Sequence, residues 1–469
     1  MADDSGRSGG FHTGIGDESV RDGVSGGRGS LSGAGAIGAR AGDTVSRVNM
    51  PWMHLVRVGL AAGAILAGGC ASRGPEASVL ASADPPAAVA GERQPLPPDR
   101  DNRSIPAWHD LPESDGAVLP TTDCGGYFLV QTTINGRGPF NFVLDTGATH
   151  TAVSPRLARE LGLESTKIQG VLRGVDGARE KELGVVTIDR LSAGDWALRD
   201  MDALVLDLRS LSATFGVRLD GILGYSAFDG VTLTVDFPAR QLRVDRAPLG
   251  PVDGATVLRA LRRNAPYVRA EIGRRRVDLL IDTGKSGGMT LDDLETFESE
   301  APPTPVGTAV GISGSFLVRA ARLRDDARLG GLVLRRPVAA ASEGSSIVGA
   351  AALRTLVLSF EPRARRVMIR GAGGAAPEPV EFPPVRGIGL GFKYDRGAWV
   401  VGTLFENSPA REAGVRESDL PLRINGRRLG ELRCSRVEDL YTGESVSLEV
   451  IREFRDRLTF QVPVRTIVP

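Results

Sequence analysis

The sequence predicts a predominantly β chain built around an internal duplication, and three observations carry that reading. Gly (60) and Pro (29) are abundant while aromatics are only 5% of the 469 residues. That balance favours short strands and turns over long helical bundles. The stretch from Gly126 to Gly147 is matched in type by the stretch from Ala265 to Gly284. Each reads as strand, turn, strand, then Asp-Thr-Gly. A second pair of matching stretches lies downstream of each copy. The 41% apolar content is enough for packed cores, and at roughly 100–200 residues per domain the length predicts roughly two to four domains.

Charge narrows the function classes. Lys and Arg total 57 against 57 Asp and Glu, which argues against a broadly basic nucleic-acid binder and an acidic solvating tail. Only four lysines occur: Lys167, Lys181, Lys285 and Lys393. Four scattered histidines argue against a His-based metal site. No apolar run is long enough to span a membrane as a helix.

Residues 1–49 are rich in Gly, Ser, Asp and Arg and poor in large apolar residues. Such a segment cannot bury enough surface to offset its ordering entropy, so it reads as disordered or as a misassigned start. A start at Met50 or Met53 suits the next segment: basic Arg57, an apolar run from Val58 to Gly69, then Cys70. That run has the length of a signal-peptide core. Leu66 to Cys70 resembles a bacterial lipoprotein box, with Gly68 and Gly69 as the small residues before the cysteine, although Ala67 stands where the pattern prefers Leu. The resemblance implies a signal peptide over 50–69, lipidation of Cys70, and a periplasm-facing lipoprotein of the bacterial cell envelope. An ordinary secretory signal with a chance cysteine is the competing reading. Residues 70–117, with Pro85, Pro86, Pro95, Pro97 and Pro98, read as a tether.

The duplication sets the centre of the chain. Copy one runs from Gly126 to Ile134, turns at Asn135-Gly136, and continues from Phe140 to Asp145-Thr146-Gly147. Copy two runs from Ala265 to Ile272, turns at Gly273, and continues from Val277 to Asp282-Thr283-Gly284. Downstream stand Ile222-Leu223-Gly224 and Ile347-Val348-Gly349. Each is followed by a strand, a Pro-containing turn and a strand, over Val231–Val244 and Leu356–Ile369. This arrangement resembles the aspartic proteases of the pepsin and retroviral kind, most of all the bacterial retropepsin-like proteins. The resemblance covers roughly residues 120–372. It implies an all-β fold of two pepsin-like lobes, 118–248 and 249–372, with the site in the cleft between them. The two apolar-apolar-Gly segments would brace the Asp-Thr-Gly loops.

Hydrolysing an amide without a metal or covalent nucleophile requires one group to activate water and another to protonate the carbonyl oxygen. Two adjacent carboxylates can share one proton and do both. Asp145 and Asp282 are the pair with matched context, so they are the candidate catalytic residues. Gly147 and Gly284 permit tight loops and close backbone approach. By the resemblance, Thr146 and Thr283 lock the loops across a pseudo-two-fold axis. No cofactor or metal is called for. Plain turns are the competing reading of each Asp-Thr-Gly.

Two departures from the family pattern stand out. After Asp-Thr-Gly the family places a small residue; Ala148 fits, but the second copy has Lys285. An ammonium pointing inward favours the ionised form of Asp282; it could equally reach solvent on its long stem. The flap stretch from Leu172 to Leu183 has Gly174 and Gly177 but no Tyr, which favours the retroviral relative; Ala309 to Val318 is its counterpart. Small residues there suit a mobile lid. His150 reads as a surface or packing residue.

Residues 373–384 read as a linker. Beyond them Gly389-Leu390-Gly391-Phe392, the Ser408-Pro409-Ala410 and Ala413-Gly414-Val415 triplets and Ile424-Asn425-Gly426 occur in order. This resembles a PDZ domain, over 385–469. The resemblance implies that the backbone N–H groups of Gly389 to Phe392 hold a peptide carboxylate while the peptide adds to a sheet edge; a β-module with no ligand is the competing reading. The groove helix must come from Cys434 to Tyr441. Cys124 and Cys434 are expected as free thiols or as one interdomain bridge.

The combined expectation is a lipid-anchored, monomeric aspartic endopeptidase acting on peptide or protein substrates, with a PDZ domain for peptide termini and no nucleic-acid partner. Two alternatives stay open. One is a non-catalytic peptide-binding scaffold, favoured if Lys285 pairs with Asp282 and fills the water site. The other is a zymogen-like enzyme whose C-terminal module or tether blocks the cleft.

Overall fold

The computed structural model describes residues 55–57, 61–62, 108–113, 116–174, 177–311, 314–395, 398–434, 437–441 and 443–469. Residues 1–49, the remainder of the 50–69 segment, Cys70 and most of the tether lie outside the described residues. Among the described residues no helix is long and apolar enough to cross a membrane.

The fold is all-β and two-lobed. In lobe 1 the strand Tyr127–Ile134 pairs antiparallel with Arg137–Asp145. The turn joining them places Asn135 at φ 50° and Gly136 at φ 76°. Positive φ at both central residues matches the right-handed twist of the flanking strands, which is why Asn-Gly serves there. In lobe 2 Tyr267–Ile272 pairs with Arg275–Asp282 in the same way, with Gly273 at φ 55°. Both aspartates therefore stand at the end of an inner strand.

The inner strands are apolar on both faces at their C-terminal ends. Phe142, Val143 and Leu144 are fully buried, as are Leu279 and Ile281. Gly221–Gly224 runs parallel to Phe142–Asp145, and Ile347–Gly349 runs parallel to Leu280–Asp282. Interior parallel pairing of this kind requires such continuous apolar runs.

A six-stranded sheet joins the lobes. Its order is Val257–Arg259, Arg366–Gly371, Leu356–Glu361, Thr232–Asp236, Gln241–Asp245 and Ala117–Leu119. The seam is the antiparallel pair Thr232–Asp236 with Leu356–Glu361, where Thr234 and Ser359 face each other with hydroxyls 2.9 Å apart. One apolar core runs through both lobes, with Leu233, Val235, Leu358 and Phe360 beside the seam. Buried Asp229 adds a polar tie, accepting from Arg263 at 2.8 Å and from Arg363 at 3.1 Å.

Each lobe also carries a long hairpin: Ser165–Gly174 with Gly177–Ala193 in lobe 1, and Thr304–Gly311 with Gly314–Arg322 in lobe 2. The flap side chains expected to matter at Leu172 to Lys181 lie outside the described residues. The tether ends earlier than its composition suggests. Trp108–Asp110 is already a strand on lobe 1, where Asp110 accepts from Arg199 at 2.9 Å.

The C-terminal module is a separate small β unit with its own core, which includes Leu390, Phe392, Val401, Leu448 and Val462. Leu448 is fully buried, with Val446 and Val450 buried on the same strand. Leu390–Asp395 pairs with Ala398–Leu404, and Leu420–Ile424, Ser445–Arg452 and Asp456–Pro463 form a second sheet. Ser408 caps the short helix Pro409–Glu412, accepting from the Arg411 N–H at 3.2 Å. Asn425 ties two segments, accepting from the Ser447 N–H at 2.8 Å and donating to the Leu440 carbonyl at 3.0 Å. Among the described residues of the Cys434 to Tyr441 stretch, where a helix was expected, Val437–Leu440 forms a 3-10 turn. A turn of that length closes too few hydrogen bonds to build a groove wall.

Candidate active site

The two Asp-Thr-Gly loops meet at the junction of the lobes. Each loop's geometry follows from its own short sequence. The Asp145 Oδ1 accepts from the Gly147 N–H at 2.8 Å and the Ala148 N–H at 3.0 Å. The Asp282 Oδ1 accepts from the Gly284 N–H at 2.7 Å, and the Lys285 N–H also donates to this carboxylate. Each carboxylate is thus held by the turn that follows it.

The threonines tie the loops reciprocally. The Thr146 N–H donates to the Thr283 Oγ1 and the Thr283 N–H to the Thr146 Oγ1, both at 3.1 Å. Each hydroxyl then donates onward, Thr146 to the Ile281 carbonyl at 2.8 Å and Thr283 to the Leu144 carbonyl at 3.2 Å. All four residues of this tie are buried, where hydrogen bonds are strengthened by the low dielectric.

The glycines allow the approach. A Cβ on Gly147 would overlap the Asp282 carboxylate, and one on Gly284 would overlap that of Asp145. The braces repeat the symmetry. The Tyr225 N–H, just after Ile222-Leu223-Gly224, donates to the Ala148 carbonyl at 2.8 Å. The Ala350 N–H, just after Ile347-Val348-Gly349, donates to the Lys285 carbonyl at 2.7 Å.

Both aspartates are fully buried, where the resemblance implied a cleft. The Oδ2 of each meets no donor from another residue among those described, and the two carboxyls are close enough to hydrogen-bond to each other when one is protonated. Burial pushes the Asp145 carboxyl well above the usual carboxylate range, and the nearby Asp282 charge pushes the same way. Burial also raises Asp282, against the lowering effects of a hydrogen bond with Asp145, the loop N–H groups and the Lys285 charge.

Lys285 breaks the symmetry. Its counterpart Ala148 presents only a methyl group. The Lys285 side chain does not run out to solvent: the residue is 7% exposed. Its stem packs against Gly349 and its Nζ lies close to Gly287. Burial lowers its pKa to about 8, opposed by the Asp282 charge. Its charge and that of Asp282 attract, but the two form no ion pair among the described residues.

Of the other expected site residues, Gly389, Leu390, Gly391 and Phe392 all lie in the C-terminal module. Gly389 takes φ 70°, and a Cβ there would overlap Ser408. Leu390 and Phe392 turn their side chains into the module core. Cys70 lies outside the described residues. His150 is half-buried beside the Thr149 hydroxyl, 2.8 Å from its Nδ1. Cys124 and Cys434 form a disulfide between lobe 1 and the C-terminal module. Sequence reasoning missed Thr308, whose hydroxyl donates to the Phe392 carbonyl at 3.2 Å; nothing local marks it.

No curated protein matches the chain. Residues 130–227, which contain Asp145-Thr146-Gly147 and Ile222-Leu223-Gly224, match the aspartyl protease family model, and this supports an aspartyl protease domain in the chain.

Proposed function

We propose that the chain is an aspartic endopeptidase in which Asp145 and Asp282 share one proton and activate a water molecule. The observation that carries this reading is the reciprocal threonine tie, which holds two buried carboxyls close enough to bond to each other, with no other donor on the Oδ2 of either among the described residues. Two carboxylates so placed cannot both ionise at low cost. The hydrogen bond between the two carboxyls and, less strongly, the Lys285 charge favour ionised Asp282, while burial, the Asp282 charge and that same bond keep the proton on Asp145. Asp282 then acts as base toward the water, and Asp145 donates its proton to the substrate carbonyl oxygen. As the tetrahedral diol collapses, Asp282 gives its proton to the leaving amine and Asp145 takes one back from a diol hydroxyl, which restores the dyad.

The buried dyad requires the cleft to open before a peptide strand can enter. The C-terminal module is read as a PDZ domain that takes peptide termini at Gly389 to Phe392, and Cys70 as a lipid anchor to the bacterial envelope. The order of the motifs along the chain supports both. The scaffold alternative called for a Lys285–Asp282 pair filling the water site; the two charges attract but form no ion pair among the described residues, which weighs against it.

The test is cleavage of an unfolded protein from about pH 3 to pH 8 by the parent, Asp145→Asn and Asp282→Asn. Cleavage by the parent alone is the expected result. Cleavage by either variant at the parental rate would remove the dyad mechanism.

A further inference from the structure

The C-terminal module touches both lobes. On lobe 1, Cys434 is bonded to Cys124 and its N–H donates to the Phe215 carbonyl at 2.9 Å. A Cβ on Gly216 would overlap the Leu432 carbonyl, so backbone meets backbone there. On lobe 2, Val306 and Ala320 of the long hairpin pack with Val468. The Arg322 guanidinium donates to the Pro469 carbonyl and, at 2.9 Å, to the Phe382 carbonyl.

The module's strand edge is also engaged. Among the described residues Leu390–Asp395 is paired on one side only, by Ala398–Leu404. The lobe 2 strand Thr304–Gly311 lies against it, and the Phe392 carbonyl accepts from Thr308 in a buried contact. The same lobe 2 strand touches the lobe 1 helix Arg209–Phe215. The hairpin is therefore held among lobe 1, lobe 2 and the module, while the dyad is fully buried.

We infer that the Cys124–Cys434 disulfide is a redox latch that holds the lobe 2 hairpin on the strand edge of the C-terminal module. While the latch is closed, the hairpin covers the edge to which an external strand would add. Cys434 is the more exposed residue of the bridge, half-buried where Cys124 is 1% exposed, so the attack is assigned to the Cys434 sulfur. A dithiol reductant attacks it through a thiolate, displacing the Cys124 thiolate and forming a mixed disulfide. The second thiol of the reductant then displaces Cys434. Two electrons pass to the latch, two cysteine thiols form, and the reductant leaves as its own disulfide. The opened module bares Leu390–Asp395 and frees the hairpin. Only what the bared edge then takes depends on the peptide-binding reading of the module.

The test is hydrogen exchange of the full chain, oxidised and after reduction with dithiothreitol, beside the Cys124→Ser/Cys434→Ser double variant in oxidising buffer. Reduction and the double variant are each expected to raise exchange by about tenfold or more in Thr304–Gly311 and Leu390–Asp395. The seam strands Thr232–Asp236 and Leu356–Glu361 should be unchanged. Unchanged exchange in the first two strands with free thiols present would overturn the latch. Equal loosening of the seam would also overturn it, because the disulfide would then be a general staple. The measurement needs no cleavage, so failure of the protease reading leaves it intact.

Discussion

Thr146 and Thr283 each use a backbone N–H and a hydroxyl to hold the opposite loop. Replacing Thr146 with Val keeps the shape but leaves the Thr283 N–H and the Ile281 carbonyl short of a partner. Such an unsatisfied buried group costs about 1–3 kcal/mol. Urea unfolding of Thr146→Val should show that loss, and Thr146→Ser, which retains the hydroxyl, should recover most of it. The aspartates behave oppositely. Their folded-state carboxyls hold protons above the pH at which the unfolded chain loses them. Their contribution is therefore most favourable below the ordinary carboxylate pKa and is lost as pH rises through the folded values. Asp145→Asn should raise the thermal midpoint at neutral pH, with the difference fading below about pH 4. A midpoint difference that grows on acidification would contradict this sign. The motif residues are legible in the sequence because each loop folds on its own N–H groups. The burial of Lys285 is not, because it depends on Gly287 and Gly349 closing over the stem.

At the scale of elements, the braces hold the loops by parallel pairing and close packing. A Cβ on Gly349 would overlap the Gly287 carbonyl and lie 2.7 Å from that of Lys285. Gly349→Ala should lower stability by about 1–3 kcal/mol, the usual cost of overpacking, measured by denaturant unfolding. A neutral effect would mean that the brace yields easily. The two hairpin turns and both braces are legible, since Asn135-Gly136 and the apolar-apolar-Gly triplets carry local signals. The groove helix of the C-terminal module is not. Apolar residues in Cys434 to Tyr441 permit either a helix or a 3-10 turn, and packing decides between them.

At the scale of the molecule, the paired seam and the shared core make two lobes one body. The Cys124–Cys434 bridge spans 310 residues of sequence. Removing a bridge in a native fold costs about 2–5 kcal/mol; because this bridge ties the C-terminal module to lobe 1, reduction should lower the denaturant midpoint of the module's release and leave that of the two lobes unchanged. The duplication reveals the lobes because each repeats a local pattern. The docking of the module stays hidden because Thr308 and Phe392 meet 84 residues apart without any sequence pattern linking them. Cysteine pairing is likewise set by the fold and not by spacing.

The most direct test of the shared dyad is the pH profile of cleavage by the parent, Asp145→Asn and Asp282→Asn chains, each verified as folded. Cleavage by the parent is predicted over a range that includes weakly acidic pH, with a loss of about 100-fold or more in both variants. Parental cleavage surviving in either folded variant would contradict a shared dyad.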